Sequence, residues 1–516
     1  MSDGSPKNIR ELLEAQVERS PDKRFLFLES DDRVFTYRQF DDQVNRAAAT
    51  LLSVGVRKGD CVSLLLTNRA EYLIFYFACF KIGAWAGPIN ALLKPEEIQF
   101  IIANSEAGTV VTQRDLLAHL DQARQHVESL HHVIVIEDDG EWSVSGNTLR
   151  TSTPGVQRPA VDPKLGEADE AVIIYTSGTT GKPKGVLLTH GNILSNAKQI
   201  AEWLQLTEDD RSLMIMPLFH VNALMATGMA VLWAGGSIVL APRFSASRHW
   251  ETIARFDVSY FGSVATMLSM LNQTYPEGAP ARLEAEKFRF ALCGSAPVPV
   301  EILNTFEALF VCPVIEGYGL SESTCRSTFN PIEHRRAGSV GLPIGNEIRV
   351  FDDNDRSLGP GQVGEIVLRG PNIMKGYYKN EAANRDAFRS GWFHTGDLGY
   401  ADEDGYFYVV DRKSDMIIRG GENIYPREID EVLYRHPKVK DAATVGVFDE
   451  LYGEEVKSFV VLGDGKQSTE QELIEFCRNR LADFKCPKSI EFVGDIPKGP
   501  TGKLLKRELT NKTDRM

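Results

Sequence analysis

The sequence predicts an α/β fold: a large N-terminal domain of two α/β sheets with a small β-barrel-like subdomain, followed by a small mobile C-terminal α+β domain. Three observations carry this. Amphipathic helical stretches alternate with short apolar runs from residue 35 to 115, the rhythm returns from 185 to 320, and it changes character after Gly338. Alternation of this kind lines strands up in a mostly parallel sheet with helices over its faces. At 516 residues, 43% hydrophobic and 25% charged, the chain is too apolar to be disordered, and its length fits about three domain-sized units.

The N-terminal MSDGSPKNIRELLEAQ reads as a short tail and then an amphipathic helix with Ile9, Leu12, Leu13 and Val17 on one face. It lacks the apolar segment of a signal peptide. In the first α/β stretch a helical segment, TYRQFDDQVNRAAATLLSVG, precedes the apolar runs CVSLLL, AWAGPI and GTVVT. The most membrane-like run, Tyr72 to Phe80, has nine residues and ends at Lys81, whereas a spanning helix needs about 20, so it reads as a buried helix. A second α/β unit follows the first, with strands near SLMIM, SIVLA, VSYFGSV and FRFALCG and a helix from Val298 to Leu309. From Gly338 to Val410, short runs split by glycine and acidic turns predict a small antiparallel sheet or barrel. Beyond Asp411 comes a compact unit: a helix from Pro426 with Ile429, Val432 and Leu433 inward, strands at AATVGVF and KSFVVL, and a helix after Ser468. The division expected is 1–411, a hinge at 412–415, and 416–516.

Lysine plus arginine total 57 against 71 acidic residues, a formal charge of −14, which weighs against nucleic acid as a partner. Seven scattered cysteines with no CxxC pair fit a reducing cytoplasm and no structural zinc. The basic C-terminal end (Lys498, Lys503, Lys506, Arg507, Lys512) reads as a solvated tail on charge alone.

The strongest chemical signal is Tyr175 to Gly185, YTSGTTGKPKG, which follows the apolar run AVII and gathers three glycines, several hydroxyl groups and two lysines. Polyphosphates are held this way: glycines let backbone N–H groups approach, hydroxyls donate and lysines balance charge. It is no Walker A loop, since residue 183 is proline where that pattern needs glycine.

YTSGTTGKPKG resembles the phosphate loop of the adenylate-forming superfamily, which includes acyl-CoA synthetases, nonribosomal-peptide adenylation domains and firefly-type luciferases. Further motifs follow in the family's order over nearly the whole chain, and the overall likeness is to fatty acyl-CoA and crotonobetaine/carnitine-CoA ligases. The resemblance assigns Thr176, Ser177, Gly178, Thr179, Thr180, Gly181 and Lys184 to ATP phosphates. EGYGLSE, Glu316 to Glu322, resembles the adenine and magnesium motif: Glu316, Gly317, Tyr318 and Gly319 about the adenine, Ser321 (usually threonine in the family) on the phosphate or substrate carboxylate, and Glu322, with Thr176, on Mg²⁺. Asp397 in WFHTGDLG resembles the aspartate that grips the ribose hydroxyls, and Arg412 the arginine reaching ribose and phosphate. Gly294, Ser295, Ala296 and Pro297 resemble the loop beside adenine and the acyl pocket. Lys503 in PKGPTGKLLKR resembles the catalytic lysine, and His220 in PLFHVNAL a residue gating the passage between carboxylate and thiol. Gly420 and Gly421 resemble the loop lining the pantetheine tunnel. Two departures stand out: Ser414 at the hinge, commonly aspartate or lysine, and Ala265 between Val264 and Thr266, where relatives often have proline.

Read alone, each residue has an ordinary structural explanation: a capping Asp397, a solvated Glu322 or Lys503, a core His220. The resemblance implies instead a two-step acid:CoA ligase that uses ATP, Mg²⁺ and coenzyme A, with a small-molecule carboxylic acid as substrate, a cytoplasmic location, and homo-oligomerisation open. The alternative within the superfamily is a carrier protein as acyl acceptor. A non-catalytic module is disfavoured by the presence of Lys503, Glu322 and Asp397, and no GxSxG or HExxH occurs. Pocket candidates His220, Val221, Asn222, Val264, Gly294, Ser295 and Gly319 permit fatty, aryl or carnitine-like acids.

Overall fold

The computed structural model describes residues 5–144, 164–176, 183–279, 287–294, 298–499 and 504–513. Two large sheets form the N-terminal part, and the chain passes between them rather than completing one before starting the other. The first sheet has seven strands, in the order Val314–Glu316, Phe290–Cys293, Tyr260–Ser263, Arg211–Met214, Ser237–Leu240, Arg24–Leu28, Val34–Thr36. All neighbours are parallel except the last pair. The strands expected in each of the two α/β units do share a sheet, but Arg24–Leu28, which the sequence left unassigned, pairs with Ser237–Leu240 more than 200 residues later, Leu28 opposite Leu240. Local periodicity identifies a strand but not its partner.

The second sheet has eight strands: Gly376–Tyr377, Lys184–Thr189, Glu170–Thr176, Trp85–Pro88, Cys61–Leu65, Thr109–Gln113, His132–Ile136, Trp142–Val144. Its five central strands are parallel and both ends are antiparallel. Cys61–Leu65 and Thr109–Gln113 are buried at every position, as strands covered on both faces must be. The apolar run at Tyr72 lies in helix Ala70–Ile82, whose residues are all buried.

Local chemistry sets the ends of these elements. Thr36 starts helix Tyr37–Ser53 with a reciprocal cap: its hydroxyl accepts from Gln39 N at 3.2 Å and its own N–H donates to the Gln39 side chain at 2.9 Å. Helix Ala70–Ile82 stops at Gly83, where φ is +74°, a conformation glycine adopts without penalty. These two helices are tied together by Lys81, whose Nζ lies 2.5 Å from Asp41 Oδ1, the two side chains being 4% and 6% exposed.

The third sheet is open and antiparallel, Glu347–Phe351, Gly364–Arg369, Phe393–Ala401, Phe407–Arg412, which answers the question of sheet or barrel. The smaller C-terminal domain has five strands, Glu422–Ile424, Ile417–Arg419, Gly453–Leu462, Val439–Asp449 and Ser489–Phe492. Helices Pro426–Tyr434 and Glu470–Arg478 pack on them around a core of its own, including Ile417, Ile429, Leu433, Val456, Val460 and Leu473.

Removing Lys81 strands a buried carboxylate. Lys81→Ala is expected to destabilise the protein by about 3–5 kcal/mol, read from the denaturant midpoint, while Lys81→Met with Asp41→Leu recovers most of the loss.

Candidate active site

The end of the first sheet presents its glycines for a steric reason. Strand Val314–Glu316 runs directly into Gly317, Tyr318 and Gly319. A Cβ on Gly317 would lie 2.4 Å from a Phe329 ring carbon, and one on Gly319 would lie 1.9 Å from the Cys325 carbonyl oxygen. Only residues without a side chain let this loop fold back so tightly, and the turn leaves Tyr318 facing a cleft of about 250 Å³ that Asp397, Arg412 and Glu316 also line.

Strand pairing supplies the opposite wall. Asp397 and Arg412 are directly opposed across the last antiparallel pair of the third sheet. The Tyr318 phenol donates to Asp397 Oδ2 at 2.7 Å, and Arg412 Nε lies 3.3 Å from Asp397 Oδ1. Burial, and then Asp397 itself, push the Tyr318 phenol well above its ordinary pKa, so it remains a donor. Three residues separated by up to 94 positions thus meet on one carboxylate. A carboxylate can accept from about four donors, so paired hydroxyls of a ribose can join or displace these partners.

A second chain of contacts begins at the sequence-predicted phosphate loop. Thr176 and Lys184 are cross-strand partners at the ends of Glu170–Thr176 and Lys184–Thr189; Ser177, Gly178, Thr179, Thr180 and Gly181 between them lie outside the described residues. Lys184 Nζ stands 5.0 Å from the Tyr377 ring centroid, and Tyr377 donates to Glu322 Oε1 at 2.9 Å. Glu322 follows Ser321 in a 3₁₀ turn, Ser321–Ser323. Burial raises the Glu322 pKa, against the hydrogen bonds it accepts, so this carboxylate lacks full compensation in the structure as it stands. Tyr377 escaped sequence reading because nothing local marks it; strand Gly376–Tyr377 reaches the site only by pairing with Lys184–Thr189.

His220 is half-buried, and its Nδ1 accepts from the Asn222 N–H at 3.3 Å. A π-helix, Ala223–Met229, follows at once, a form that is rare and often found at functional sites. Gly294 lies against the side chain of Arg326, a buried residue that sequence reading passed over although it is the one charge between Glu322 and Glu333. Ser295, Ala296 and Pro297 lie outside the described residues. Gly420 (φ +58°) and Gly421 (φ +90°) form a hairpin tip between Ile417–Arg419 and Glu422–Ile424 and are not in the cleft wall. Lys503 is outside the described residues; Lys498 and Leu504, which bridge each other on either side of it, both line the cleft.

The smaller domain closes the cleft through helix Pro426–Tyr434. Arg427 donates from its backbone to Asp411 Oδ2 at 3.0 Å and from its guanidinium to the Val409 carbonyl at 2.5 Å, which clamps this helix on the strand that carries Arg412. Among the described residues no three His, Cys, Asp or Glu side chains form a metal cage, and no helix is long and apolar enough to cross a membrane.

This cleft, between a large sheet-built domain and a smaller one, is that of an adenylate-forming enzyme. The AMP-binding enzyme family model matches residues 13–378, and that of the AMP-binding enzyme C-terminal domain matches residues 428–503. The chain belongs to this family. It is 35% identical to the oxalate–CoA ligase of Arabidopsis thaliana over 96% of both chains, and 36% identical to the sulfoacetate–CoA ligase of Cupriavidus necator over 97% of both. Long-chain-fatty-acid and crotonobetaine/carnitine CoA ligases match at 35% and 34%. The crystal structure of ATP-bound MatB from Rhodopseudomonas palustris superposes with a TM-score of 0.90 at 28% identity, over 98% of this chain and 99% of that one.

Glu316 is 3% exposed, and burial raises its carboxyl pKa to about 7. A carboxyl raised on folding binds more protons folded than unfolded between its ordinary pKa and 7, so stability falls as pH rises through that window. Glu316→Gln is therefore expected to raise thermal stability at pH 8 by about 1–3 kcal/mol and by much less at pH 5, measured by calorimetry at both values.

Proposed function

We propose that this protein activates a small-molecule carboxylic acid with ATP, releasing pyrophosphate, and then transfers the acyl group to coenzyme A. The reaction class is AMP-forming acid:CoA ligation. One observation carries the residue assignments: the Tyr318–Asp397–Arg412 cluster lines the cleft, and Glu322, at the end of the Lys184–Tyr377 chain, stands close enough to Arg412 and Asp397 to feel both charges. The first suits a nucleoside and the second its phosphates.

In the first step a carboxylate oxygen of the acid attacks the α-phosphorus and the bond to the bridging oxygen breaks, pyrophosphate leaving. Tyr318 offers its ring to the adenine between the two glycines, Asp397 accepts from ribose hydroxyls, and Arg412 offsets phosphate charge. Lys184 and Thr176, with the intervening loop, hold the outer phosphates. Lys503 supplies positive charge at the α-phosphate as it gains negative charge in the transition state. Magnesium fits this donor set: it commonly takes one or two carboxylates and completes its shell with phosphate and water, and half-buried Glu322 is a single carboxylate already oriented by Tyr377. Glu322 and the Thr176 hydroxyl would hold it, and when bound it neutralises phosphate charge.

In the second step the thiol sulfur attacks the acyl carbon and the bond to the phosphate oxygen breaks, so AMP departs. Adenylation has replaced a poor leaving group by a good one. The mixed anhydride hydrolyses easily, so water must be excluded first and the thiol admitted second. Rotation of the smaller domain about residues 412–415 would exchange the Lys503 loop for the Gly420–Gly421 hairpin; serine at 414 tolerates the backbone change required. His220 stands at the passage between the two sites.

Incubation with Mg·ATP, coenzyme A and a panel of acids should give AMP, pyrophosphate and an acyl-CoA mass. Lys503→Ala should slow pyrophosphate release about 100- to 1,000-fold while thioester formation from supplied acyl adenylate persists. Asp397→Asn should raise the ATP KM about 10-fold or more. Acyl adenylate without thioester would point to an acceptor other than coenzyme A.

A further inference from the structure

Arg326 is 1% exposed and among the largest fully buried side chains. Its position is fixed from both sides of the backbone: Asn196 accepts from the Arg326 N–H at 3.1 Å and donates to the Arg326 carbonyl at 2.7 Å. Its guanidinium nevertheless meets only weak partners. Nη1 donates to the Gly317 carbonyl at 3.2 Å, Nη2 reaches Asn222 Oδ1 at 3.4 Å, and the group lies 5.3 Å from the Phe329 ring centroid. Its Nε has no hydrogen-bond partner, and among the described residues no carboxylate comes within 4.0 Å of it. A permanent charge in the interior is costly unless an anion meets it. Glu316, whose charge couples to the guanidinium, is pushed up to about 7 by burial and compensates only in part.

The guanidinium lies between two segments that the family resemblance assigns to the acyl pocket, one at Gly294 and one at His220 to Asn222. On one side is Gly317, which lines the cleft; a Cβ on Gly294 would sit 2.5 Å from Nη1, so only the lack of a side chain there leaves room beside the group. On the other side Asn222 joins it to His220. An alkyl tail entering between these segments would leave the charge unmatched, whereas a carboxylate or sulfonate would satisfy it with a planar fork of donors.

We propose that Arg326 reads a second anionic group on the acid, and that the substrate is a short acid with a carboxylate or sulfonate at the end remote from the reacting carboxylate. Shortness follows from the placement, since the guanidinium is bonded to the residue before Tyr318 and to the residue two beyond His220. This inference rests on the ligase reading above.

The test compares length-matched acids in the purified full-length enzyme: malonate, succinate and glutarate, sulfoacetate, and the monoacids propionate, butyrate and hexanoate, with pyrophosphate release and thioester mass both recorded. The expected kcat/KM for the best doubly anionic acid exceeds that of its matched monoacid by about 100-fold or more, and the carboxylate and sulfonate arms identify the terminal group. Arg326→Met should cut that ratio about 100-fold, chiefly through the KM for the acid, with Arg326→Lys falling between. A monoacid preferred by the unmodified enzyme overturns the inference and leaves the ligase reading standing. Equal slowing of every acid by Arg326→Met makes the residue structural and also overturns it. No adenylate or thioester from any acid removes both readings. Should Arg326→Met fail to fold, the ratio in the unmodified enzyme decides alone.

Discussion

The carboxylate of Asp397 is the point on which the site depends. It is nearly buried, and it accepts from the Tyr318 phenol while facing Arg412 across a strand pair. A buried carboxylate needs donors, and Tyr318 and Arg412 reach it from different parts of the fold: the glycine-bounded loop that ends the seven-stranded sheet, and the strand that leads into the smaller domain. One acceptor thereby fixes the Tyr318 loop and the approach to the domain junction relative to each other. The Arg427 clamp on Asp411 and Val409 extends the same logic one turn further.

What could be read from the sequence was local. The helices at Ile9, Tyr37, Ala70 and Pro426, four strands of the first large sheet (Arg211–Met214, Ser237–Leu240, Tyr260–Ser263 and Phe290–Cys293), the antiparallel segment after Gly338 and the glycine-bounded Tyr318 all announce themselves through periodicity, capping or turn chemistry within a few residues. The adenylate-forming motifs brought family membership with them. Illegible were the pairings set by distant chain: Arg24–Leu28 beside Ser237–Leu240, and Tyr377 delivered to Glu322 by an edge strand two residues long. Periodicity carries no information about which strand lies beside which. Arg326 hid for another reason. A single arginine among small and hydroxyl residues resembles a surface turn until its burial is known.

The electrostatics of the cleft follow one pattern. Glu316 and Glu322 both sit where burial lifts their pKa, and Tyr318 is held protonated. Glu316 and Tyr318 therefore hold no settled negative charge at neutral pH, beside the charged pair of Asp397 and Arg412. Preorganised groups of this kind need little rearrangement as the reaction proceeds. Residues that look unfavourable by the rules of core packing are the ones facing the chemistry.

The pairing of Leu28 with Leu240 also constrains how the chain is made. At ribosomal rates of about 5–20 residues per second, the strand Arg24–Leu28 emerges roughly 10–40 s before its parallel neighbour exists. During that interval Phe25, Leu26, Phe27 and Leu28, all buried in the finished protein, have no sheet to enter on that side. The nascent chain therefore carries an apolar, β-prone segment with one edge open through nearly half of its synthesis, a natural point for chaperone engagement, while the antiparallel Val34–Thr36 is an early partner for its other edge.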